Sequence, residues 1–140
     1  MSTDKNKDIV RRYREIHNAN KLDQLSEVVA PDLVSHSLTP GLPQGIEGAK
    51  MAHMGVLASF PDMRTETLDL IAEGDKVVER WQISATFTGS PMNGAPQNGK
   101  SYSVTGMSIY RLANGKIAEH WGEMDFMGVL QQLGLMPGPA

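Results

Sequence analysis

Residues 102–125 read YSVTGMSIYRLANGKIAEHWGEMD, and the middle of this stretch decides the architecture. Asn114-Gly115 supplies the positive φ that a tight hairpin demands, so the flanking runs Tyr102–Arg111 and Lys116–Asp125 are expected to pair as antiparallel strands. Toward the N-terminus, SPMNGAPQNGK (residues 90–100) is a longer connection, and Gly74-Asp75 is a second tight turn between strands expected over Met63–Ala72 and Val77–Thr88. Beyond Asp125, the spacing of Met127, Leu130 and Leu133, with Gly134 placed as a C-cap, predicts a short terminal helix.

The first sixty residues change period. After Thr3 or Asp4 as an N-cap, Ile9, Val10, Tyr13, Ile16 and His17 fall at helical spacing. Leu22, Leu25, Val28 and Val29 repeat the pattern until Pro31, which predicts a helical hairpin. Leu33–Leu38 is expected as a short strand carrying His36, and TPGLPQG (residues 39–45) as a stiff loop. A third helix follows, with Ile46, Met51, Met54, Leu57 and Phe60 as its buried stripe and Pro61 as its end. Helices first and hairpin-linked strands after predict one α+β domain over residues 1–140. In it a curved, mostly antiparallel sheet wraps three N-terminal helices, and a cavity is expected at the open end of the resulting cone.

Composition narrows the function classes. The net charge is −3 with the bases scattered between acids, so neither nucleic acid nor an anionic membrane is an expected partner. No cysteine is present, and no run approaches the roughly 20 apolar residues of a membrane span. The opening MSTDKNKDIV alternates acids and bases where a secretory leader needs an apolar stretch, which predicts a cytoplasmic protein. The four histidines show no HxH or HxxxH spacing, so no metal is expected. Nine methionines against three phenylalanines fit an adaptable apolar pocket or a Met-padded core.

Alternation along the last strand places Ile117, Glu119, Trp121, Glu123 and Asp125 on one face and His120 and Met124 on the other. Only one face can look into the cavity. If Asp125 does, Trp121 and Glu123 line it too and His120 lies outside, whereas a bulge near Gly122 reverses the assignment. Trp81, Ile83 and Phe87 share a face that is either core or ligand platform. Tyr13 and His17, one helical turn apart, either point into the cone or form a core tyrosine with a partly exposed histidine. His53 is expected on the helix surface.

The segments VSHSLTPGLPQGIEGAK, FPD, TGSPMNG and YRLANGKIAEHWGEMDFMGVLQQLG resemble the SnoaL-like polyketide (ester) cyclases of the NTF2-like superfold, nearly throughout from Ile9 to Gly134. The resemblance implies a cone-shaped α+β barrel, often a homodimer, that binds a small apolar organic ligand. It further implies closure of a polyketide ring by intramolecular aldol condensation without metal or other cofactor. It carries the acid/base aspartate onto Asp125 and a cavity-mouth histidine onto His36. The histidine that assists the aspartate in such cyclases has no counterpart, since the neighbouring strand reads TGMSIYR. The same fold also serves hydroxylases, epoxide hydrolases, isomerases and non-catalytic binders.

Ring closure needs a base beside a carbonyl, a hold on the enolate, and an acid for the new alkoxide. One carboxylate in an apolar pocket can serve first and last, because burial penalises its charged form. Met124, Phe126 and Met127 around Asp125 can provide that setting, with Tyr13, His17, His36, Met54, Trp81, His120, Trp121 and Glu123 as pocket candidates. The competing role for Asp125 is the N-cap of the terminal helix, where it would accept a backbone hydrogen bond.

Overall fold

The computed structural model describes residues 2–138. Helix α1 (Thr3–Asn18) leads into a 3-10 turn (Leu22–Glu27) and strand β1 (Val29–Ser35), followed by α2 (Ile46–Ser59). Strands β2 (Arg64–Glu73), β3 (Lys76–Thr86), β4 (Ser101–Ala113) and β5 (Lys116–Met124) then precede α3 (Phe126–Gln132). The sheet order is β1-β5-β4-β3-β2, antiparallel throughout except for β1 beside β5. Both tight turns form where expected, with Gly74, Asn114 and Gly115 at positive φ.

Three local expectations are corrected. The cap of α1 is Ser2, whose hydroxyl accepts from the Lys5 amide. Leu22–Glu27 makes only a 3-10 turn, and Pro31 sits inside β1 instead of ending a helix. An edge strand tolerates this proline because β1 is out of register with β5 between Val29 and Val34, so no ladder bond needs its missing N–H. Of the stripe expected on α2, Ile46 and the C-cap residue Phe60 are buried and Leu57 is half-buried, but Met51 and Met54 are 45% and 51% exposed. The inward side of α2 is instead the stripe Ala49, Ala52, His53 and Val56, small residues at i, i+3, i+4 and i+7.

The core divides into two clusters. Val10, Ile16, Leu25, Val29, Ile46, Val77, Leu112 and Ile117 pack at one end, and Phe60, Ile83, Phe87, Tyr102, Val104, Val129 and Leu133 at the other. The sheet they share carries two one-residue bulges, which bend and twist its strands. On β2, Leu68 is the extra residue between the pairs Thr67–Trp81 and Asp69–Arg80. On β5, Ala118 is the extra residue between Leu112–Ile117 and Arg111–Glu119.

Candidate active site

The bulge at Ala118 determines which side chains of β5 see the interior. Before it, Ile117 points inward and is buried; after it, the inward set becomes His120, Gly122 and Met124, facing Tyr110, Ser108 and Gly106 of β4. Glu119, Trp121 and Glu123 therefore face outward. Trp121 stacks on His36, with ring centroids 5.0 Å apart and planes 11° from parallel, and His36 Nε2 lies 2.7 Å from Glu119 Oε2. Neither His36, Trp121, Glu123 nor Met54 lines the interior. Asp125 is exposed and caps α3, accepting from the Gly128 amide at 2.9 Å, and is likewise outside the cavity.

Tyr13, His17, Trp81 and His120 do converge. They line a cavity of about 290 Å³ between α1, α2 and the sheet, with an apolar wall that includes Leu33, Leu38, Val56, Ile83, Ile117 and Met124. His53, expected at the surface, joins them: its ring meets His17 edge-on at 4.8 Å, and Nε2 lies 2.9 Å from Asn20 Oδ1. Tyr13 contacts His17 at 4.2 Å and Tyr110 at 5.4 Å, and Tyr110 stacks on His120 at 5.2 Å. Trp81 lies across Gly106 so closely that a Cβ there would collide with its ring. From that position Trp81 Nε1 donates to Ser108 Oγ at 3.0 Å, and His120 Nε2 is 3.3 Å from the same oxygen.

Arg14 forms part of the wall and is paired with a carboxylate buried behind it. Glu79 is fully buried on the inward face of β3 and accepts four hydrogen bonds: Arg14 Nε at 3.0 Å, Arg14 Nη2 at 2.7 Å, Thr67 Oγ1 at 2.7 Å and Tyr110 OH at 2.7 Å. Burial alone would raise the Glu79 pKa, but the bonds and charge of Arg14, with Thr67 and Tyr110, reverse this and hold it below the usual carboxylate value. A signal for this site stood in the sequence: Glu79 shares the period-two face of Trp81 and Ile83, a charge in an apolar row that requires a buried partner. Ser108 and Tyr110 carried no comparable signal.

The three histidines of the cavity wall favour their neutral form. Burial first, then the Arg14 charge, lowers the His17 pKa to about 3 and that of His120 to about 4, and the same causes lower His53. His17 Nδ1 faces the Tyr13 carbonyl at 3.0 Å, and a carbonyl only accepts. The proton of neutral His17 therefore sits on Nδ1 and Nε2 keeps a lone pair, the state a general base requires. Among the described residues no group of three or more His, Asp or Glu is arranged to hold a metal, and no helix is long and apolar enough to cross a membrane.

Comparison with known proteins gives this arrangement a family. The chain is 25% identical over 130 residues to the aklanonic acid methyl ester cyclase DnrD of Streptomyces peucetius, covering 91% of this chain and 89% of that protein. Among solved structures, TsrD from Streptomyces laurentii superposes with a TM-score of 0.87 at 27% identity, over 97% of this chain and 99% of that one. IdmH from Streptomyces antibioticus superposes with a TM-score of 0.81 at 31% identity, over 92% and 98%. With residues 7–133 matching the family model for SnoaL-like polyketide cyclases, and with the five-stranded α+β fold of its relatives, the chain belongs to that family.

Proposed function

We propose that this chain closes a ring in an apolar, polyketide-like carbonyl compound by an intramolecular aldol-type reaction in the cavity between α1, α2 and the sheet. The observation that carries the reading is the presence of two neutral imidazoles, His17 and His120, on the wall of one apolar cavity. A histidine with a free lone pair takes a proton from the carbon next to a carbonyl, leaving an enolate. The enolate carbon bonds to a second carbonyl carbon of the same molecule, and the new alkoxide receives a proton from an imidazolium. Atoms and charge balance with no external reagent. The acid/base work is assigned to the histidines instead of Asp125, whose carboxylate is engaged with the Gly128 amide on the far side of β5's end. Apolar walls that fold the chain into its reactive shape supply the remaining acceleration.

The test uses aklanonic acid methyl ester, the compound in the name of the Streptomyces relative, as probe. His17→Gln and His120→Gln are each expected to retain binding and lose turnover by roughly 10² to 10⁴-fold, the usual worth of a positioned acid or base. Asp125→Asn keeps the cap, since asparagine caps as well as aspartate, and should turn over within about threefold of wild type. A large loss in Asp125→Asn with both histidine variants active would overturn the assignment. A wild-type protein that binds the probe without consuming it would be a carrier.

We also propose a homodimer through the outer sheet face. Ile71, Val78, Ile109 and Trp121 stand in register across β2, β3, β4 and β5, an apolar row on the side facing away from the helices, with Met107 54% exposed two residues further along β4 on the same face.

A further inference from the structure

We propose that the recess above Gly122 receives the carbonyl or enol oxygen of the ligand, held by Ser108 with His120 behind it. Gly122 lies opposite Ser108 in the β4–β5 ladder and two residues beyond His120, on the inward face. A Cβ built on Gly122 would sit 3.3 Å from Ser37 Oγ, 3.4 Å from His120 Nε2 and 3.4 Å from Ser108 Oγ. Three polar atoms thus converge on one atom-sized space that is open because residue 122 has no side chain. A ligand oxygen stays at van der Waals distance from the Gly122 backbone, further out than the Cβ position itself, and there it faces Ser37, Ser108 and His120, which line the cavity together with Leu33, Leu38, Ile117 and Met124.

The hydrogen-bond capacity of this recess suits an oxygen that changes its protonation state. Ser37 Oγ is occupied by the Gly122 backbone, donating to its carbonyl and accepting from its amide. Ser108 Oγ accepts from Trp81 Nε1, which leaves it one lone pair and its own proton. If His120 carries its proton on Nε2, it donates to that lone pair and frees the serine proton for a ligand carbonyl or enolate. If the proton is on Nδ1, the serine donates to Nε2 and its lone pair accepts from a ligand enol. A change of tautomer at His120 thus lets one site hold both forms of one oxygen, and Gly122 becomes the position that admits it. Identifying that oxygen with the reacting carbonyl rests on the ring-closure reading; the recess does not.

The probes are 1-tetralone and tetralin, two bicyclic molecules that differ at one carbonyl, titrated into the full chain with the Gly122 amide followed by NMR. Wild type is expected to bind both, and the ketone alone should shift the Gly122 amide. Ser108→Ala removes the donor without adding bulk and should weaken tetralone roughly three- to tenfold, the worth of a neutral hydrogen bond, leaving tetralin unchanged. Gly122→Ala fills the recess and should weaken tetralone at least as much. Equal effects on ketone and hydrocarbon in both variants, or no binding of either probe by wild type, would overturn the subsite. Loss of the differential with ring closure intact sinks the subsite alone. A clear differential in a protein that closes no ring sinks the ring-closure reading and leaves the subsite standing.

Discussion

Replacing Glu79 with leucine removes the acceptor on which four hydrogen bonds converge. It leaves the Arg14 guanidinium, itself 15% exposed, without its counter-charge and strands the hydroxyls of Thr67 and Tyr110. Breaking a buried ion pair from one side costs about 3–5 kcal/mol, because the surviving charge is left desolvated. Unfolding a chain of this length carries an entropy of about 0.3 kcal/mol per kelvin, so the melting temperature should fall by roughly 10 to 17 °C. The double variant Glu79→Leu with Arg14→Met removes the charge as well as its partner and should recover at least about half of the loss. It should not recover all of it, since the Tyr110 and Thr67 hydroxyls remain unpaired at about 1–3 kcal/mol each if water does not reach them. Urea titrations followed by far-UV circular dichroism, with thermal melts, give both numbers. A single variant that costs under about 1 kcal/mol, or a double variant whose loss is the sum of the two single losses, would refute the reasoning.

The cavity histidines set an acid limit to stability. Their folded pKa values, about 3 for His17 and about 4 for His120, lie below the ordinary value near 6.5, so the unfolded chain binds more protons and stability falls as pH drops below about 6.5. The carboxylates with lowered pKa, Glu79 among them, are ionised in both states until pH approaches about 4.5, so the histidines act alone above that. Each should cost about 2 kcal/mol by pH 5, with His53 adding to the same loss, and His17→Gln should reduce the slope of urea midpoint against pH by roughly a third to a half; a midpoint flat from pH 7 to 5 contradicts the burial argument. On the outer face, Ile109→Lys places a charge in the middle of the apolar row and should give a monomer by light scattering with turnover of the remaining subunit unimpaired. A wild-type chain that is already monomeric ends the dimer proposal.

What was legible in the sequence was what local chemistry enforces. Asn114-Gly115 and Gly74-Asp75 fix hairpins whatever surrounds them, and the strands and α2 follow to within a few residues. The cap role of Asp125 was also visible as one of its two alternatives, because a cap depends only on the next three residues. The cavity lining depends on larger-scale geometry. Reading apolar bulk along α2 selects Met51 and Met54, yet a helix packed over a cavity in a narrow cone presents its small residues inward, and Ala49, Ala52 and Val56 carry His53 with them. Alternation along β5 holds from Glu119 onward and also at Ile117, but the two halves are out of phase by the one residue Ala118. That residue exchanges Glu119, Trp121 and Glu123 for His120, Gly122 and Met124 on the inward face. A bulge adds twist and bend to a strand, and here it stands near the start of β5, between its pairing at Ile117 and its pairing at Glu119. The need for that bend belongs to the five-stranded sheet as a whole. No window of neighbouring residues contains it, so the face of β5 that does the chemistry became identifiable only when the strand was paired with β4.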